Sequence, residues 1–170
     1  MKNNQGMTSE PFKYDYLRYN IHNVLRPNWL LILSLFFLCR HIFLFVLVGL
    51  MGLRGGGAPG MKVLVEMLNP VYNITDILPA MMFYVMSVRS PKAKTLPRWL
   101  WKHGRLLVFL SIATFLIVFA FRTQLALSTY GAVEWVVIAV NVLIALYIGL
   151  SGFIRDLFNE FPAVHEPESP

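Results

Sequence analysis

The sequence predicts an all-α membrane protein with four transmembrane helices, both ends cytoplasmic, and a short external helix before the second span. Three observations predict it. Of 170 residues 56% are hydrophobic and 14% charged, and the mean hydropathy of +0.57 is too high for a water-soluble domain of this size. Four apolar stretches approach the roughly 20 residues that a helix needs to cross a bilayer core about 30 Å thick. The Lys and Arg residues gather on alternate sides of those stretches. The chain divides into a cytoplasmic N-terminal segment over 1–28, a four-span domain over 29–154 and a cytoplasmic acidic, Pro-rich tail over 155–170.

The first span runs from Trp29 to Leu53. It is longer than the apolar core of a cleavable leader and is followed by Arg54 rather than a small-residue cleavage site, so it is expected to stay as an anchor. Its centre reads FFLCRHIFLFV, which sets Cys39, Arg40 and His41 in apolar surroundings. Cys39, the only cysteine, has no disulfide partner and reads as a small packed side chain. The following RGGGAPG, residues 54 to 60, reads as a flexible external turn, because glycine permits most backbone angles and proline stops a helix.

The second region, residues 61 to 88, is the most polar of the four, holding Glu66, Asn69, Asn73, Thr75, Asp76, Pro70 and Pro79. One kinked span over the whole region is one reading. The preferred one ends a short external helix, Met61 to Leu68, at Asn69-Pro70 and crosses the membrane from Val71 to Val88, with Pro70 in the first turn and Asn69 capping it. The third span, Leu106 to Phe121, is short and borrows Arg105 and Arg122 at its ends, whose long stems reach the headgroups. The fourth is Trp135 to Ile154; like the third it holds no Asp, Glu, Lys or Arg. Its Ala145 and Gly149 form a small-xxx-small pair that admits another helix, in this chain or in a partner.

Orientation follows from charge. Lys2, Lys13, Arg18 and Arg26 precede the first span, and Arg89, Lys92, Lys94, Arg98, Lys102 and Arg105 lie between the second and third. The first loop has only Arg54 and Lys62 and the last only Arg122, so the positive-inside rule puts both termini in the cytoplasm. In the basic loop, Arg98, Trp99, Trp101, Lys102 and Arg105 read as an interfacial contact for lipid headgroups or an acidic partner. The end of the chain, Phe158 to Pro170, has little to bury and reads as a mobile tail.

Charges at the bilayer centre cost at least about 2.5 kcal/mol each, so they face the bundle interior and find partners. Arg40 lies about 11 residues past Trp29, roughly 16 Å deep, and Asp76 about 12 residues before Val88, roughly 18 Å deep. Matched depth on neighbouring antiparallel helices predicts an Arg40–Asp76 ion pair. A polar path through His41, Glu66, Asn73 and Asp76 is the competing use of the same groups. His41, about 100° around the helix from Arg40, is less readily aimed at the same neighbour.

His22, His103 and His165 lie outside or at the edge of the spans, so no facing histidine supports an intrachain haem. Asn73-Ile74-Thr75 matches a glycosylation pattern at membrane depth, out of reach of a glycosyltransferase. No phosphate loop, paired catalytic carboxylates or nucleophile elbow is present. No metal site, cofactor, catalytic residue or nucleic-acid partner is therefore expected, and the chain does not read as an enzyme.

Several short stretches carry a resemblance: Tyr14 to Tyr16, Leu25 to Pro27, Arg40, NPVY at Asn69 to Tyr72, LPA at Leu78 to Ala80, LPRWLWKHGRLL at Leu96 to Leu107, and the end of the last span near Arg155. Over roughly Tyr14 to Phe161 the chain resembles the YfeZ-like family of small inner-membrane proteins of proteobacteria, departing from it in the Gly-rich loop and the acidic tail. The resemblance implies four spans in a bacterial inner membrane and no reaction. The function expected is a non-catalytic accessory or scaffold subunit against a larger membrane complex, with the bilayer and other integral subunits as partners. A small homo-oligomeric transporter or channel is the competing class.

Overall fold

The structure, a computed structural model, describes residues 13–20, 22, 24–53, 70–122 and 131–162. Among these it is helical apart from turns and one isolated bridge between Tyr19 and Leu25. A 3-10 turn at Tyr16–Arg18 precedes seven α-helices: α1 Trp29–Leu38, α2 Arg40–Leu53, α3 Pro70–Val88, α4 Thr95–Lys102, α5 Gly104–Arg122, α6 Ala132–Leu150 and α7 Gly152–Asn159.

Helix α1 starts where the Asn28 side chain accepts the Leu31 N–H at 3.0 Å. It stops at Cys39, and α2 leaves at 67° to it, so the apolar run read as one straight span is two helices with a break of a single residue. Helix α3 begins at Pro70, whose missing N–H costs nothing in a first turn. Asn69, the external helix over 61–68, Glu66 and the Gly-rich loop over 54–60 lie outside the described residues.

Helix α5, over the expected third span, is longer than its apolar core, reaching from Gly104 through Arg122 and so taking in Arg105. The helix over the expected fourth span is shorter than expected. Helix α6 ends at Leu150, and Ser151 then accepts the Ile154 N–H at 3.3 Å to open the separate helix α7. Ile154, Leu157 and Phe158 recur at helical spacing and are buried, which pins α7 against α4, α5 and α6. This corrects the expectation of a mobile tail from Phe158: Phe158 is core, Glu160 is hydrogen bonded, and residues 163–170 lie outside the described residues.

Helix α3 is central, packing on α1, α2, α4 and α5, while α5 also packs on α6. Leu31 and Leu35 of α1, Met82 and Val85 of α3, Val108 and Ile112 of α5, and Ile148 of α6 build the core. Two close approaches need glycine. A Cβ at Gly104 would lie 2.6 Å from Met82 Cε and inside the contact distance of the Phe158 ring, and one at Gly149 would lie 3.2 Å from Phe109 Cζ. The space left by Gly149 is thus taken by α5 of the same chain.

Helices α5 and α6 are long and apolar enough to cross a membrane, with mean hydropathies of 2.3 and 2.2, and the α1–α2 pair is a third candidate if its two parts count as one span. Most of α5 and α6 faces outward, presenting Leu106, Leu110 and Ile117 on one and Val136, Leu143 and Leu146 on the other. A shell of this apolarity is what hydrocarbon, not water, accommodates.

Both described ends of the chain meet at the basic end of the bundle. Lys13 Nζ and Tyr14 Oη donate to Asp156 Oδ2 at 2.6 and 2.7 Å, and the Leu25 N–H donates to Glu160 Oε2 at 2.8 Å. Arg89, one residue past α3, donates to the carbonyls of Leu25 (2.7 Å) and Glu160 (2.8 Å) and lies 4.4 Å over the Trp101 ring. Burial pushes this guanidinium down to about 10, which still leaves it ionised at neutral pH.

Candidate functional site: a capped helix break

A helix break inside an apolar bundle exposes amides at the start of one piece and carbonyls at the end of the other. No proline or glycine causes this one: the residues around it read Leu38-Cys39-Arg40-His41. Asp76 from α3 supplies the first remedy. Its Oδ2 accepts the backbone N–H of His41 at 2.8 Å and of Ile42 at 3.1 Å, the second and third residues of α2. A carboxylate here fills the role of an N-cap from another helix, and its charge complements the positive end of the helix dipole.

The other carboxylate oxygen faces the His41 ring, with Nδ1 3.0 Å from Asp76 Oδ1. A carboxylate only accepts, so Nδ1 is the donor in this contact. The single hydroxyl proton of Thr75 lies between the Tyr72 carbonyl at 2.7 Å and Asp76 Oδ1 at 3.1 Å. Ser111 of α5 donates to the Thr75 carbonyl at 2.8 Å, tying the third helix to the same point. The Asp76 side chain is 1% exposed and that of His41 11%. The His41 ring stacks on Tyr72 (5.0 Å, 19°) and lies near Phe115 (5.9 Å, 26°).

Arg40 supplies the second remedy. Its Nη1 donates to the Phe37 carbonyl, in the last turn of α1, at 3.2 Å. Its Cζ sits 4.6 Å from the Phe37 ring centroid and 4.4 Å from that of Phe115, while Nη2 is buried with no hydrogen-bond partner. The expected Arg40–Asp76 ion pair is therefore not formed. The depths agree, as the contact of Asp76 with residues 41 and 42 shows, but each charge serves the helix pole of opposite sign: the anion takes amides and the cation a carbonyl.

The group proposed as a polar path is likewise redistributed. His41 and Asp76 come together, Asn73 Oδ1 is buried without a partner, and Glu66 lies outside the described residues. Cys39 is buried, with Sγ 3.9 Å from the Asp76 carbonyl. Residues missed in the sequence are Tyr72, Thr75, Ser111 and the wholly buried Asn141, whose Nδ2 donates to the Val137 carbonyl at 2.8 Å. Only the i, i+3 spacing of Tyr72 and Thr75 ahead of Asp76 hinted at them.

The interfacial group separates into two roles. Trp99 is exposed beside His103, and Lys102 is exposed. Arg98 reaches back to the carbonyls of Pro91 (2.6 Å) and Ala93 (3.2 Å). Trp101 is not an interfacial residue: it is 1% exposed, donates Nε1–H to the Leu157 carbonyl at 2.9 Å and packs on Phe158. Arg105 donates to the Gly149 carbonyl at 2.9 Å, at the negative end of α6.

Among the described residues no cluster of three or more His, Cys, Asp or Glu side chains is placed to hold a metal ion. Comparison with family models, with curated proteins and with solved structures gives no match, so none of the three identifies a YfeZ-like family.

Proposed function

We propose that this chain is a non-catalytic accessory or scaffold subunit of a bacterial inner membrane, crossing it four times with both ends in the cytoplasm and packing against a larger membrane complex. The observation that carries the reading is the use of Asp76. Two backbone amides and an imidazole N–H occupy it, so the most polar point of the interior is spent on holding α2 to α3 at the break. A transport path would instead keep such a carboxylate accessible to its cargo.

Other features support the topology. The contacts of Lys13 and Tyr14 with Asp156, and of Leu25 with Glu160, bring both described ends to the end that carries Arg89, Arg98, Lys102 and Arg105, as an even number of crossings requires. Helix α3 supplies the remaining crossing in this account. The resemblance to the YfeZ-like family read from the sequence implies the same membrane.

Gentle extraction into lipid discs, followed by mass analysis of intact assemblies, tests the proposal. Other integral membrane proteins at fixed stoichiometry are expected. Recovery only as copies of itself, with ion or solute flux in liposomes, would replace the proposal with a homo-oligomeric transporter, and a lone monomer would count against both.

A further inference from the structure

At the basic end of α3, the turn that joins it to α4 forms a groove of about 340 Å3. Tyr84 and Val88 of α3, Ser90, Lys92 and Lys94 of the turn, and Leu96 of α4 are among its lining residues. Bonds within the turn hold its shape. The Ala93 N–H donates to the Ser90 carbonyl at 3.0 Å, and the Arg98 guanidinium donates to the carbonyls of Pro91 and Ala93. Arg98 is thereby committed, as Arg89 and Arg105 are to the carbonyls of Leu25, Glu160 and Gly149. The two lysines are not. Both are exposed, Lys94 stands at the start of α4 without a side-chain capping bond, and among the described residues neither amine makes a hydrogen bond or ion pair.

Charge and surroundings select the occupant. No Asp or Glu occurs in the sequence between Asp76 and Glu134, so neither the turn nor the helices that flank it supply a counter-charge. Asp156 and Glu160, at the same end of the bundle, are engaged by Lys13, Tyr14 and the Leu25 N–H. Two uncompensated cations close in the chain favour an anion. The rest of the groove is apolar. Tyr84 lies one turn deeper than Val88 on the same face of α3, and Tyr84 and Leu96 are exposed, so the wall runs from the lysines onto the outer surface of the helices. An anion that carries a hydrocarbon chain suits both parts. We propose that this groove binds an anionic phospholipid, its phosphate between Lys92 and Lys94 with the Ser90 hydroxyl as a further donor, and an acyl chain along Val88, Tyr84 and Leu96. A soluble acidic protein would use the lysines and leave the apolar wall bare. The inference requires the chain to lie in a bilayer and is independent of the accessory-subunit reading.

The test titrates the full chain in mild detergent with phosphatidylglycerol, phosphatidylcholine, glycerol 3-phosphate and hexaglutamate, reading bound copies by mass analysis of the intact protein. Phosphatidylglycerol is expected to bind at concentrations where the other three do not. The double variant Lys92→Gln/Lys94→Gln is expected to weaken that binding about thirtyfold, roughly fivefold for each lysine. Arg26→Gln/Lys102→Gln removes the same charge from other exposed positions and is expected to leave it unchanged. Ala93→Phe fills the groove while keeping both lysines and is expected to weaken it. In the wild-type protein a photoreactive phosphatidylglycerol should label residues between Tyr84 and Pro97. Equal binding of phosphatidylcholine, equal loss in the Arg26 and Lys102 control, binding that survives either the lysine substitutions or the filled groove, or label confined to other helices would each overturn the proposal. Glycerol 3-phosphate binding as tightly would reduce the site to a phosphate contact, and hexaglutamate doing so would replace the lipid with an acidic protein; either result would likewise overturn it.

Discussion

A carboxylate that already accepts two backbone amides and an imidazole N–H has little capacity left for a guanidinium, and Arg40 accordingly turns to the Phe37 carbonyl and two phenyl faces. Asp76→Ala strands three donors in a low-dielectric interior and is expected to destabilise the protein by on the order of 3 kcal/mol or more. In a double-mutant cycle followed by denaturation, His41 and Asp76 should couple strongly. Arg40 and Asp76 should couple by less than about 1 kcal/mol, whereas an ion pair would give several times that. At Gly104, where a Cβ would enter the Phe158 ring, Gly104→Ala should cost about 1–3 kcal/mol by overpacking, readable as a lower Tm. Counting residues from the span ends was enough to place Arg40 and Asp76 at one depth. Their partners were not legible, because side-chain direction depends on a break that no proline or glycine announces.

Among the elements, α7 and the N-terminal segment show why hydropathy alone misplaces a boundary. Ile154 reads as the end of an apolar run and the acidic, Pro-rich residues beyond it as a tail, yet Ser151 as a cap and Ile154, Leu157 and Phe158 at helical spacing define a short amphipathic helix. That signal was present in the sequence and was divided between its two neighbours. The N-terminal segment docks on this helix through Asp156, whose hydrogen bonds from Lys13 and Tyr14 hold its carboxyl below the usual range, while the same carboxylate raises Lys13. A lowered carboxyl stabilises the docked form above its unfolded value of about 3.9 and ceases to do so as pH falls through the folded value; a raised lysine contributes below about 10.4 and is lost on titration above it. Hydrogen exchange over 13–20 is therefore expected to rise both below about pH 4 and above about pH 10.5, with a protected plateau between. Exchange independent of pH-corrected chemistry would show that Asp156 does not anchor the segment. Trp101→Phe, which keeps the ring and removes the Nε1–H bond to Leu157, should loosen α7 from α4 at a cost of about 1 kcal/mol.

For the molecule as a whole, the apolar shell of α5 and α6 and the paired α1–α2 mark a membrane protein, and composition made that class legible at once. The proposed topology puts Lys92 and Asn159 on one side and Val133 on the other. Single cysteines at these positions, in a Cys39→Ser background, should be labelled by an impermeant reagent from opposite sides of sealed vesicles. What composition could not reveal is that the bundle tolerates a sharp bend between α1 and α2 because a neighbouring helix satisfies the freed amides. Amide hydrogen exchange at His41 and Ile42 in lipid discs tests that account most directly. The account predicts slow exchange at both amides in the wild-type protein and fast exchange in Asp76→Ala, which removes the acceptor, with the rest of α2 still protected; equal protection in the two proteins would contradict it.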